Sequence, residues 1–142
     1  MTDELIDPQL MVSAGGRYRL RGGRCAGCGD HHFPLGATCP RCGGTEIAET
    51  VLADEGVLWS WTVQRFPPPS PPYARRPDDF VPFGLGYVEL PGQLIVETLL
   101  TDSDPARLRI GMPMRLTTLP VLVESGRTAT TFAFAPIEEG QR

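Results

Sequence analysis

Cys25, Cys28, Cys39 and Cys42 form a C-x2-C-x10-C-x2-C pattern. The stretch that holds them, RCAGCGDHHFPLGATCPRCGG (24–44), also holds both histidines of the chain. Each C-x2-C turn aims two thiolates at one point, and two such turns close the tetrahedron that zinc accepts without strain. A rubredoxin-like iron asks for the same four sulfurs. Two redox pairs or unligated core thiols fit the spacing less well. Gly27 and Gly29 around the first pair, and Gly43 and Gly44 after the second, supply the positive φ that tight knuckles need. Four thiolates saturate the ion and leave no position to polarise a carbonyl or activate a water, so the site is structural. His31 and His32 follow the first knuckle and read as solvent-exposed loop residues rather than as ligands.

An ion that takes every cysteine leaves no thiol nucleophile. Both histidines lie in the same loop, and all thirteen basic residues are arginine, which excludes Schiff-base chemistry and a lysine-based phosphate loop. The usual pairs of nucleophile and base are missing. Asp78 and Asp79 form an adjacent acidic pair, but acids beside prolines are solvated turn residues more often than proton donors. The chain is therefore expected not to be an enzyme on its own. A formal net charge of -4 argues against a nucleic-acid partner, which asks for a basic footprint. The charge is uneven: residues 15–44 carry Arg17, Arg19, Arg21, Arg24 and Arg41 against Asp30 alone.

The elements that must position this cluster are short. A chain of 142 residues with sixteen glycines and fifteen prolines reads as one compact domain with a small satellite, mainly β. Residues 1–16 show neither a helical stripe nor strand alternation and read as a loose or docking tail. In RYRLR (17–21) the arginines share one face of a short strand, the first edge of a small metal module spanning 17–50. In VLWSWTVQRF (57–66), Val57, Trp59, Trp61 and Val63 share a face at period 2. FGLGYVEL (83–90) and QLIVETLL (93–100) are joined by Pro91-Gly92 and read as a hairpin. DPARLRIG (104–111) reads as one helical turn capped by Asp104, with Pro105 at its first position. MPMRLTTLPVLVE and RTATTFAFAP close the set, with Phe132 and Phe134 on one face.

Five strands with a short helix between the third and fourth is the order of an OB-type barrel, here over 51–137, with 138–142 as a tail. Alternation favours barrel core over a ligand face for Trp59, Trp61 and Tyr87. PPPSPPYARRPDDFVP (67–82) packs seven prolines into sixteen residues. It reads as a semi-rigid arm for a protein partner rather than as a ligand for a domain that reads polyproline helices. The acidic amino terminus has no basic and apolar leader, and no segment reaches the roughly 20 apolar residues of a membrane span. A cytoplasmic protein without a membrane partner is expected.

The fragments GGRCAGCGDHHFPLGATCPRCGG, EGVLWSWTVQRFPPPSPPYA, PFGLGYVELPG and RLRIGMPMRL, in that order, resemble the rubredoxin-like zinc-ribbon plus OB-fold proteins associated with acyl-CoA enzymes. The resemblance runs from Tyr18 to Pro136. It implies a structural Zn2+ on Cys25, Cys28, Cys39 and Cys42. It also implies an accessory role beside a thiolase-superfamily catalytic subunit, either a thiolase or a lipid-transfer-protein-like aldolase acting on acyl-CoA thioesters in lipid metabolism. One partner of this kind is a retro-aldolase for a branched or steroid side chain. The small subunit of such a pair stabilises its partner and helps form the acyl-CoA passage. FPLGATCP departs from relatives, which usually carry a second proline and an arginine before the second knuckle. A CoA ester presents phosphates and an adenine, which arginine beside aromatics recognises; Tyr73, Arg75, Arg76 and Phe80 are the candidates, for acyl-CoA or for the partner. Two other functions are weighed: an OB-fold single-stranded nucleic-acid binder with stacking aromatics, and an independent acyl-CoA hydrolase.

Overall fold

The computed structural model describes residues 5, 7–65, 82–122 and 128–137. Nine strands occur among them and no α-helix. Strands β1 (Met11–Ala14) and β2 (Arg17–Cys25) form an antiparallel pair in which Met11 faces Leu20. Residues 11–14 therefore leave the loose tail expected over 1–16. The pair forms because Met11 is buried beside Leu20 in the core, a contact too isolated in the sequence to read as alternation. Leu5 makes an isolated parallel bridge with Thr130.

Strand β2 is central rather than the expected edge. It also pairs with β3 (His31–His32) and with β4 (Ile47–Val51), so both halves of the metal loop hang from it. Its arginines do share a face, and acids meet them. Arg17 and Arg19 lie 3.4 and 3.9 Å from Asp54, Arg21 lies 2.9 Å from Glu49, and Arg19 Nη2 donates to the Leu52 carbonyl at 2.7 Å. The cationic excess of residues 15–44 is thus largely spent inside the fold, leaving little of it for a phosphate backbone.

Strands β5 (Glu55–Gln64), β6 (Phe83–Leu90), β7 (Leu94–Leu100), β8 (Pro113–Leu122) and β9 (Thr128–Pro136) close a barrel in the order β5-β6-β7-β9-β8. The β7·β9 contact is parallel and limited to Leu99 with Ala133 and Leu100 with Phe134; every other pair is antiparallel. This is the OB arrangement expected from the sequence. Pro91 and Gly92 turn the β6–β7 hairpin, with Gln93 N donating to Leu90 O at 3.0 Å and Gly92 at φ +74°, as a type II turn requires.

Two expectations fail locally, the first only in extent. Residues 104–108 close the single capped turn, with Asp104 Oδ1 accepting from the Ala106 amide at 2.9 Å and Asp104 O from Arg107 N at 2.9 Å and Leu108 N at 3.2 Å, but no helix element grows from it. Gly111 N donates to Leu58 O at 2.7 Å and Leu58 N to Met112 O at 2.9 Å, which draws the segment into sheet pairing. Leu108 of this turn is buried in the shared core cluster. The second failure is Trp59. A bulge between Leu58 and Ser60 shifts the β5·β6 register, so the inward residues are Leu58 before it and Trp61, opposite Gly86, after it. An extra residue reverses strand parity. Trp59 is expelled to the outside beside outward Tyr87, and only Trp61 of the three aromatics joins the core.

Ribbon and barrel share one apolar core. Met11, Leu20 and Leu52 from the ribbon side pack in the same cluster as Leu58, Val88, Leu90, Met114 and Phe134. Phe132 packs against this cluster, on the face it shares with Phe134 as expected. Among the described residues no helix is long and apolar enough to cross a membrane.

Candidate metal centre and the cleft beside it

The two knuckles have the same local fold. After each C-x2-C pair a glycine takes positive φ, Gly29 at +78° and Gly43 at +76°. Its amide donates back to the first cysteine's carbonyl, Gly29 N to Cys25 O at 2.8 Å and Gly43 N to Cys39 O at 2.9 Å. A residue with a Cβ adopts this conformation only under strain, which explains the position of these two glycines. Gly44 N then points at Cys42 Sγ, 3.4 Å away. The turns bring the sulfurs together: Cys25 and Cys42 are 3.6 Å apart, Cys28 and Cys39 3.7 Å, and all four Sγ atoms lie within 4.8 Å of one another. Metal–sulfur bonds of about 2.3 Å in a tetrahedron set an S···S edge of about 3.8 Å. The donor set therefore fits a structural zinc ion, with Cys25 and Cys39 inside and Cys28 and Cys42 at the surface.

The electrostatics of the sulfurs ask for a cation. The Cys42 amide lowers the Cys39 thiol most; burial opposes it, and the Arg41 amide with neighbouring thiols brings the value down to about 7. At Cys28 the Asp30 amide lowers the pKa, yet burial and hydrogen bonds with Cys39, Cys42 and Cys25 together push it up to about 11. Four thiolates at this spacing repel one another, so ionising all of them takes a divalent ion at the centre. Zinc binding here releases protons, so acid weakens it.

Beside the knuckles lies a cleft of about 570 Å³ between the ribbon and the barrel, lined by residues 30–34, Pro40, Arg41 and residues 94–97 of β7. Phe33 holds the ribbon loop against the barrel through an edge-to-face contact with Phe132, centroids 5.6 Å apart. His32 corrects the expectation of exposure: it is 8% exposed. β3 pairing carries it over Gly23, where an added Cβ would come within 2.6 Å of its Nε2. Gly22-Gly23 was the available signal, since a strand without side chains at two positions makes room for something to lie on it. Neither ring nitrogen of His32 has a hydrogen-bond partner among the described residues. A buried polar group in that state costs more than an apolar one of similar shape. His32→Leu is accordingly expected to leave the melting temperature unchanged or raised; a fall of several degrees in a thermal melt would show that the imidazole is bonded.

Sequence reasoning placed the four cysteines together, and the structure does so. It missed the cleft, the burial of His32 and the exposure of Trp59 and Tyr87. Tyr73, Arg75, Arg76 and Phe80, with Asp78 and Asp79, lie outside the described residues.

Residues 12–48 match the rubredoxin-like zinc ribbon domain of ChsH2, and residues 49–119 match the ChsH2 C-terminal OB-fold domain. The chain belongs to the ChsH2 zinc-ribbon and OB-fold family. The two ChsH2 matches meet inside β4, the strand that leads out of the metal module. A "DUF35 domain-containing scaffold protein" of Pyrococcus furiosus is 32% identical over 123 residues, 85% of each chain. The "Benzoylsuccinyl-CoA thiolase subunit BbsA" of Thauera aromatica is 30% identical over 76% of this chain and 69% of that one. Among solved structures, the "Ltp2-ChsH2(DUF35) aldolase" superposes with a TM-score of 0.59 at 30% identity, covering 83% of this chain and 84% of that chain.

Proposed function

We propose that this ChsH2-family chain is a non-catalytic accessory subunit of a thiolase-superfamily enzyme that makes or breaks carbon–carbon bonds in acyl-CoA thioesters. The observation that carries the reading is the pairing of a saturated four-cysteine site with an OB barrel in a chain similar to proteins titled a scaffold, a thiolase subunit and an aldolase complex. The metal site consumes every thiol of the sequence, so the bond-making groups come from the partner. The chain supplies a rigid wall that stabilises the catalytic subunit and helps form the acyl-CoA passage. Tyr73, Arg75, Arg76 and Phe80 contact the CoA moiety or the partner. Reduced cysteines holding zinc suit a cytoplasmic setting.

Co-expression with the thiolase-fold proteins of the same genome, one at a time, tests this. The expected result is one stable hetero-oligomer, seen by light scattering after size exclusion, whose acyl-CoA turnover exceeds that of the catalytic subunit alone. Free CoA released from thioesters by the solitary chain would instead favour the hydrolase reading.

A further inference from the structure

The outward residues of β5, β6 and β7 form a lattice with a definite composition. Trp59 is 54% exposed, Tyr87 42% and Ile95 42%. The Trp59 and Tyr87 rings meet edge to face with centroids 6.3 Å apart. Tyr87 stands opposite Glu97, donating its hydroxyl to that carboxylate at 3.3 Å, and Glu89 stands opposite Ile95. Ile95 and Glu97 also line the ribbon–barrel cleft, whose far wall includes Asp30 and Arg41, so the face and the cleft are one continuous surface. Apolar residues of this size are usually turned inward, and a cluster of them outside marks an interaction site. The bulge that expels Trp59 is a device that re-aims a side chain.

We propose that this face docks a protein partner whose complementary surface is an apolar pocket rimmed by arginine or lysine. It rests on the accessory-subunit reading above, and the partner is the catalytic subunit. Charge selects the occupant. Glu89, Glu97 and Asp30 form no ion pair among the described residues, no arginine stands among the outward residues of the three strands, and Arg41 across the cleft is the one arginine of its lining set against these three acids. A nucleic-acid strand would set its phosphates against these carboxylates, which an aromatic stacking pair alone does not offset. A cationic rim pairs with them, while Trp59 and Tyr87 supply the rigid aromatic anchors on which interface affinity concentrates.

The test uses the full chain and a thiolase-fold subunit shown to bind it. Trp59→Ser and the double variant Glu89→Arg, Glu97→Arg are expected to weaken that complex about 30-fold or more. Val51→Ser removes an apolar side chain as exposed as Tyr87, at 42%, from β4 of the ribbon sheet, which pairs with β2 and not with these three strands, and should change affinity by less than about 2-fold. Zinc content and melting temperature of each variant establish that it is folded. Acidic substitutions in the partner's rim should restore binding to the Glu89→Arg, Glu97→Arg chain. A wild-type chain that binds no thiolase-fold subunit sinks the subunit reading itself. A wild-type complex that both variants leave at full strength overturns this inference alone. So would quenching of Trp59 fluorescence by a single-stranded oligonucleotide at low salt, or a homodimer that Trp59→Ser dissolves.

Discussion

Cys39→Ser is expected to strip the metal and unfold the ribbon. A serine hydroxyl keeps its proton at neutral pH and cannot replace a thiolate as a zinc ligand. The position is also structural in a second sense, because the Cys39 carbonyl accepts from Gly43 N and its amide donates to Gly44 O at 2.8 Å. Between residues 26 and 46, His32 and Cys39 are the buried residues, so the sulfur cluster stands where a larger module would have an apolar core. Small domains without such a core depend on a bound metal, whose binding contributes on the order of 10 kcal/mol to folding. Metal analysis of the purified variant should find no zinc, and amide exchange should become fast from residue 25 to 46 while the barrel stays protected. Treatment of the wild type with a chelator should give the same pattern. One retained zinc per chain together with an unshifted melt would show that the four cysteines are not jointly required.

Leu52→Ala should be the most damaging single change away from the metal. Leu52 is fully buried where the two halves meet, and its amide donates to Leu20 O at 3.0 Å. Its side chain lies so close over β2 that a Cβ on Gly22 would meet it at 3.0 Å. Truncation of a buried leucine to alanine costs about 2 to 5 kcal/mol, with the upper end reached where the neighbours cannot collapse into the space. Here they are strands locked by pairing on both sides, which favours the upper end. For a chain of this size the melting temperature should fall by roughly 10 °C, with zinc still bound, since the residue touches no ligand. A melt within about 2 °C of wild type would mean that the shared core does not couple ribbon to barrel.

The metal site was readable because its chemistry is written in local spacing: two turns of fixed length determine where four sulfurs go, whatever surrounds them. The barrel was readable for a related reason, in that FGLGYVEL and QLIVETLL alternate around a Pro-Gly turn and the remaining strands follow at regular intervals. Misreadings came wherever a partner strand decided the outcome. VLWSWTVQ alternates cleanly on paper, yet Leu58 and Trp61 both face inward, and only a bulge reconciles them. β1 buries Met11 and exists because β2 offers it an edge. His32 looks like a loop histidine until β3 pairs over two glycines. Asp104 and Pro105 carry good start signals for a helix, but sheet pairing from residue 111 onward claims the chain first.

Residues 52–54 connect ribbon to barrel, and each of them is tied down. Leu52 bonds to Leu20, Ala53 N to Gln93 Oε1 at 2.8 Å, and the Asp54 carbonyl to Leu116 N at 2.8 Å while its carboxylate holds Arg17 and Arg19. Such a connection has no hinge. The angle between the thiolate cluster and the aromatic face is set when the chain folds, before any encounter, so association need not freeze a swinging module and sacrifices less configurational freedom. In the proposed docking the chain acts as a stiff bracket, already bent to shape.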